Sequence, residues 1–275
     1  MPRIRIATGC HPHNAKHYDD ALEAALRERL ADPRVCAVGE IGLDYHYDFS
    51  PRDDQRQAFR RQVRLAKECG LPVVLHVREA HDEAFSLMQE EGFPEAGTLL
   101  HCFNLDWATL EPWVEAGCHV AFGGPLTFKK ADEVREAASK VPLDRLLTET
   151  DAPYMTPEPM RGMVCGPDHV LFTAERLAEV RGCAPGPKRA AFLRQLLANA
   201  RELLDRDPTP WQQEAAREFY AEAFDELFAK PGVPYRSRSA RHEEARAGAG
   251  EAGYARAVPG REGMSRDDVK ERGQG

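Results

Sequence analysis

No run of eighteen apolar residues occurs anywhere in the chain, so no segment can cross a bilayer as a helix, and no membrane partner is expected. The opening Met1-Pro2-Arg3-Ile4-Arg5-Ile6-Ala7 lacks the apolar core and cleavage region of a signal peptide. The seven cysteines form no C-x-x-C pair, and an odd number cannot pair fully within one chain. Reduced thiols in the cytoplasm, each a small buried hydrophobe, are the expectation. No G-x-G-x-x-G follows the first strand-like segment, which removes the usual signature of a dinucleotide-binding open sheet. Positive charge is scarce too: Lys and Arg number 37 against 45 Asp and Glu, for a net charge of -8. That argues against a broad basic surface for holding nucleic acid. A phosphodiester substrate stays open, because divalent ions in an acidic pocket can supply the missing charge.

What is present describes a globular protein with ample core, 42% hydrophobic and 30% charged. Strand-like and helix-like segments alternate. Residues 3–9 alternate Ile4 and Ile6 with polar neighbours, and residues 19–31 carry Leu22, Ala25 and Leu30 at helical spacing. Val35 to Val38 form the next strand, running into Gly39-Glu40-Ile41-Gly42-Leu43-Asp44. Ser50-Pro51-Arg52-Asp53 predicts a helix start with Ser50 as N-cap. The buried stripe of that helix is Phe59, Val63, Ala66 and Cys69, and Gly70 stops it. Strands at 71–75, 98–100, 119–122 and 146–150 follow, with helices between them. Helices over roughly 168–180 and 187–204 finish the pattern.

Six β-α repeats in strict alternation imply a parallel sheet covered by helices. An open doubly wound sheet and a (β/α) TIM-type barrel both fit. The barrel is favoured because reactive residues follow several different strands rather than lining one crevice. Closure takes eight strands, so the expected fold is an α/β barrel lacking about its first two β-α units, with six strands present. The domain expected is 1–206, followed by an amphipathic C-terminal helix over 207–230 around Trp211, Ala215, Phe219 and Leu227. Residues 231–275 hold nine basic and seven acidic residues and almost no large aliphatics, and read as a disordered tail.

Four of the six strands place Glu40, His76, His101 and Asp151 at their ends, and His11 and His13 follow a fifth. Each has a plainer explanation alone: a strand-end histidine usually packs and hydrogen-bonds, and Glu40 has Arg78 as a candidate partner. Together, on strands whose ends meet at one mouth, they predict a centre for divalent ions held by imidazole nitrogen and carboxylate oxygen.

Gly9-Cys10-His11-Pro12-His13, Gly39-Glu40-Ile41-Gly42-Leu43-Asp44, His76-Val77-Arg78-Glu79-Ala80, His101-Cys102-Phe103 and Glu149-Thr150-Asp151-Ala152-Pro153-Tyr154 resemble, in order, the TatD family of metal-dependent deoxyribonucleases, which belongs with the amidohydrolase-like barrels. The resemblance covers residues 4–204, including Arg161-Gly162 and Asn199-Ala200. It implies a phosphodiesterase acting on DNA, as an exonuclease on single strands, with Glu40, His76, His101 and Asp151 as ligands of one or two ions (Mg, Mn or Zn). The family's opening His-x-His has no counterpart here, which bears on occupancy by two ions. Cys165-Gly166-Pro167 stands where relatives commonly carry Asn-Glu-Pro.

On this reading the cation activates a water, Asp151 accepts its proton, and Glu40 serves as a catalytic as well as a ligating carboxylate. Arg78, Arg161 and His11 are the expected substrate contacts, with Glu79 or Glu158 as alternative structural partners for the arginines. Phe103 and Tyr154 are candidates to stack on a base, or rim packing. His13 has no assigned role. No obligate protein partner is implied. Two alternatives remain at this level: a hydrolase of ester or amide bonds on the same fold, such as an aminoacyl-tRNA deacylase, and an inactive truncated fragment with exposed sheet edges.

Overall fold

Val35-Cys36-Ala37-Val38, Val73-Val74-Leu75, Thr98-Leu99-Leu100 and His119-Val120-Ala121-Phe122 put apolar side chains on successive residues, as strands covered on both faces require. In the computed structural model, which describes residues 4–205 and 207–212, these segments join one six-stranded parallel sheet: β1 (Ile6–Thr8), β2 (Val35–Asp44), β3 (Val73–Arg78), β4 (Thr98–Leu100), β5 (His119–Phe122) and β6 (Leu146–Thr148). Between and after them run α1 (Asp20–Leu30), α2 (Arg52–Cys69), α3 (His81–Glu91), α4 (Trp107–Glu115), α5 (Asp132–Lys140), α6 (Val170–Val180) and α7 (Pro187–Leu204). The strands lie side by side in chain order. A doubly wound sheet reverses its order at a switch point, whereas a (β/α) barrel adds each strand beside the last. The architecture is that of the TIM-type barrel, with six strands present.

The two faces of the sheet have different partners. Val73 and Leu75 of β3 point outward into a core shared with Phe59, Val63 and Ala66 of α2 and Met88 of α3. The predicted stripe on α2 is all there, with Phe59, Val63, Ala66 and Cys69 each at most 1% exposed. Truncating one such aromatic costs about 3–5 kcal/mol. Gly70 closes α2 in the left-handed region at φ 67°. The start of α2 differs from expectation. Ser50 does not cap it: its hydroxyl donates to the His13 carbonyl and accepts from the Lys16 N–H. The helix begins two residues later, and Asp53 and Asp54 complement its first turn. Ser50 instead fastens a 3-10 helix (Pro12–His17) that follows β1.

Val74, Leu99, Ala121 and Leu147 point to the other face, the barrel interior, where Leu203, Ala200 and Leu204 of α7 pack on them. Near β6, Asn199 donates to the carbonyls of Leu143 and Leu146, at 2.6 and 2.9 Å. Just past α7, Asp205 accepts from Arg5 at 2.8 Å, beside the start of β1. α7 and the residue that follows it thus reach from β6 to β1. Gln212 is 2% exposed and donates to the carbonyls of Leu30 and Val35. The described residues lie in one compact unit. The remainder of the helix expected over 207–230, and the tail expected over 231–275, lie outside the described residues.

Candidate metal centre

Side chains alternate along a strand, so the residue two beyond an interior-facing one faces inward again. His76 follows Val74, His101 follows Leu99, and Glu149 follows Leu147. The polar layer therefore sits on the same face as the apolar interior layer, one step toward the carboxyl ends. Glu40 arrives differently. The sequence places it at the end of a short strand, but β2 continues through Asp44, and Glu40 lies inside it where the register with β3 shifts between Val38 and Ile41. A bulge of this kind re-aims a side chain without ending the strand. Gly42, opposite His76 in the register, lets the two strands approach there. Its φ is +142°, and a Cβ would meet the His76 carbonyl oxygen at 2.0 Å. Past the strands, Glu79, Cys102 and Asp151 take left-handed conformations at φ 54°, 48° and 56°, a region non-glycine residues adopt uncommonly.

Glu40, His76 and His101 offer donor atoms within 4.8 Å of one another, and so do His11, His13 and His76. Hydrogen bonds decide between the sets. A carboxylate only accepts, so a nitrogen bonded to one must carry the proton. Asp44, fully buried, accepts at Oδ2 from Nε2 of His13 (2.7 Å) and Nε2 of His76 (3.1 Å). It accepts at Oδ1 from the N–H groups of His46 and Tyr47. Burial resists the Asp44 charge, but these four donors outweigh it and hold the carboxyl well below the usual carboxylate range. Burial is also what lowers the His76 pKa, keeping the ring neutral with its Nδ1 lone pair open. His11 accepts the His13 N–H at Nδ1, and burial with its histidine neighbours lowers its pKa to about 3. Its Nε2, 3.8 Å from Glu40, then carries a proton and serves as a donor rather than a ligand. His101 turns Nδ1 to Glu149 at 3.1 Å and Nε2 to Glu40 at 3.6 Å. Burial opposes its protonation, yet Glu149, Glu40 and Asp151 together raise its pKa to about 10. Three carboxylates around one buried imidazole leave negative charge in excess, which a divalent cation is suited to offset. The set with free donor atoms, Glu40, His76 and His101, fits a divalent ion in number and type.

Of the four ligands expected, three converge. Asp151 falls outside both donor sets, while its charge reaches His101, Cys102 and Cys165, which places it at the same mouth. The Arg78 guanidinium lies 4.8 Å from the Tyr47 ring centre. That of Arg161 lies 4.0 Å from the Phe128 ring, and its NH1 group donates to the Thr156 carbonyl. Phe103 is 2% exposed and packs edge-on against Phe122, so it belongs to the core and offers no face to a base. Asp44 and Glu149, which orient the histidines, went unassigned from sequence. The signals were there: an acid closing the apolar run Ile41-Gly42-Leu43, and a second acid two before Asp151. His13, without a role in the sequence, joins Asp44 to the aromatic side chains of the following loop.

A barrel whose interior rim carries such a donor set defines a metal-dependent hydrolase. The chain belongs to the family described as TatD related DNase, whose model matches residues 1–205. It is 40% identical over 178 residues to the metal-dependent hydrolase YabD of Bacillus subtilis (strain 168), covering 65% of this chain and 70% of that one. It is 39% identical over 153 residues to the 3'-5' ssDNA/RNA exonuclease TatD of Rahnella sp. (strain Y9602), covering 55% and 58%. The crystal structure of the TatD homologue YJJV from Escherichia coli K12 superposes with a TM-score of 0.67 at 30% identity, over 74% of this chain and 77% of that chain.

Proposed function

We propose that the chain hydrolyses phosphodiester bonds of single-stranded nucleic acid, DNA foremost, using a divalent ion held by Glu40, His76 and His101. The observation that carries this reading is the convergence of those three donor groups within 4.8 Å, with the far nitrogen of each imidazole turned to a carboxylate. The activity for which the Rahnella relative is named supports a single-stranded substrate, in DNA or RNA. Bound there, an ion such as Mg, Mn or Zn, one or two per chain, supplies a Lewis acid that activates water and offsets phosphate charge.

The chain's own groups do the rest. Asp151 accepts the proton of the attacking water at its carboxylate. His11 donates from Nε2 to a phosphate oxygen, since its Nδ1 is occupied by the His13 N–H. Arg78 and Arg161 are the cations offered to flanking phosphates. Among the described residues no helix is long and apolar enough to cross a membrane. The seven free thiols support a reducing compartment, the cytoplasm.

The test is cleavage of end-labelled single-stranded DNA with added Mg, Mn or Zn, with single-stranded RNA and aminoacyl-tRNA as parallel substrates. Metal-dependent release of nucleotides, slowed about 10²- to 10⁴-fold in Asp151→Ala, is the expected result. Release of amino acid from charged tRNA without cleavage of either polynucleotide would overturn it in favour of an ester hydrolase.

A further inference from the structure

Phe49 is a large aromatic residue held half in water, 50% exposed, by a loop that is otherwise fixed. Residues 45–51 connect β2 to α2. At one end Asp44 binds the N–H groups of His46 and Tyr47. At the other the Ser50 hydroxyl bonds the His13 carbonyl. Gln55 ties the two ends together, donating to the carbonyls of both Asp44 and Ser50. Asp44, Ser50 and Gln55 are each at most 1% exposed, so the loop is anchored in a buried polar network rather than left to move. Asp48, at φ 49°, bends the chain between the two rings on either side of it. Those rings, Tyr47 and Phe49, stack with planes 10° apart and centres 5.3 Å apart, and Arg78 lies over Tyr47. A rigid loop that keeps an aromatic surface exposed beside a cation gains nothing for folding, since burying the ring would stabilise the fold more.

The platform adjoins the donor set. The His13 ring is 4.9 Å from Phe49 and 5.9 Å from His76. We infer that Phe49, backed by Tyr47 and Arg78, is a stacking subsite for the nucleobase adjoining the phosphodiester at the Glu40–His76–His101 centre. This rests on the nuclease reading and deepens it, because it states how a chain of net charge -8 grips single-stranded nucleic acid. An aromatic face accepts any base, and an arginine against the ring system adds a cation–π contribution. A duplex keeps its bases stacked on one another, so such a platform selects unpaired ends. Phe49 is a binding residue on this account, with no part in proton transfer.

The test reads binding without turnover. A nuclease-resistant phosphorothioate dinucleotide carrying 2-aminopurine at either position is titrated into the full chain. Quenching is expected from one of the two base orders. Phe49→Ala should weaken its Kd about tenfold and Phe49→Trp should restore it, with folding of both variants checked by circular dichroism. Competition by dinucleotides with one base removed completes the cycle. Removing the stacked base should cost the wild type about tenfold and cost Phe49→Ala less than twofold. Equal losses in both proteins, or an unchanged Kd in Phe49→Ala, would overturn the subsite. Since no bond is broken, stacking without cleavage of any polynucleotide defeats the nuclease reading alone, and cleavage without stacking defeats this one alone.

Discussion

Oδ2 of Asp44 lies 3.1 Å from Nε2 of His76, and that bond determines which nitrogen of the imidazole can face a cation. Glu149 does the same for His101 through the other nitrogen, Nδ1. Two carboxylates that touch no ion in this reading thus set the tautomers of two imidazoles that do. Outer carboxylates of this kind typically account for 10- to 100-fold in metal affinity. Asp44→Asn and Glu149→Gln should each weaken Mn or Zn binding by that order, measured by isothermal calorimetry. Affinities matching the wild type in both variants would remove them from the centre.

Metal loading should also move a proton. The His101 pKa is raised to about 10 by its three carboxylates, against the cost of burial. Its folded value lies above the unfolded one, about 6.5, so its protonation stabilises the metal-free fold fully below that pH. The contribution is lost as the pH rises through about 10. The urea midpoint of the metal-free protein should fall between pH 8 and pH 10.5, and His101→Gln should flatten that slope. At pH 8, an ion taking Nε2 must displace the extra proton. Calorimetry in two buffers of different ionisation enthalpy should count close to one proton released, and a count of zero would exclude His101 from the ligand set.

Substituting Asp151 is expected to separate chemistry from binding. Its carboxylate is outside the donor sets yet close enough to act on the charge of His101. Asp151→Ala should lower kcat on single-stranded DNA by about 10²- to 10⁴-fold, the range for a positioned general base. Its metal Kd should change less than that of Glu40→Gln. If Asp151→Ala loses the ion as completely as Glu40→Gln does, Asp151 is a ligand first and the proton acceptor lies elsewhere.

Much of this was legible in the sequence because it followed from period and punctuation. The α2 stripe from Phe59 to Cys69, the Gly70 stop and the succession of apolar strands each obey a local rule, and the consecutive sheet order follows from their alternation. Glu40, His76 and His101 could be nominated because each closes or interrupts an apolar run. What was not legible depended on contacts across tens of residues. Ser50 has the composition of a helix cap, but its hydroxyl bonds His13, 37 residues away. Glu40 sits on a bulge that only the pairing of β2 with β3 reveals. The orienting roles of Asp44 and Glu149 require knowing which imidazole nitrogen each one faces. Phe103 and Phe49 are both aromatic residues after a strand, and only burial tells them apart.

The interior apolar layer gives a prediction that links stability to the site above it. Leu203 is 1% exposed and packs with Leu99, Ala121 and Leu147, while Leu197, on the same helix, is 52% exposed. Leu203→Ala should cost about 2–5 kcal/mol in urea unfolding, through lost transfer free energy and the cavity left in the barrel interior. Leu197→Ala should stay within about 0.5 kcal/mol. His101 follows Leu99 and Glu149 follows Leu147, both on this interior face. A cavity under those strands therefore lets the donor layer relax, so Leu203→Ala should weaken metal binding as well, although its side chain reaches no ligand. Were Leu203→Ala to lose stability with metal affinity unchanged, the strands would be rigid enough to hold His101 and Glu149 without the layer below. The coupling between the interior packing and the centre would then have to be abandoned.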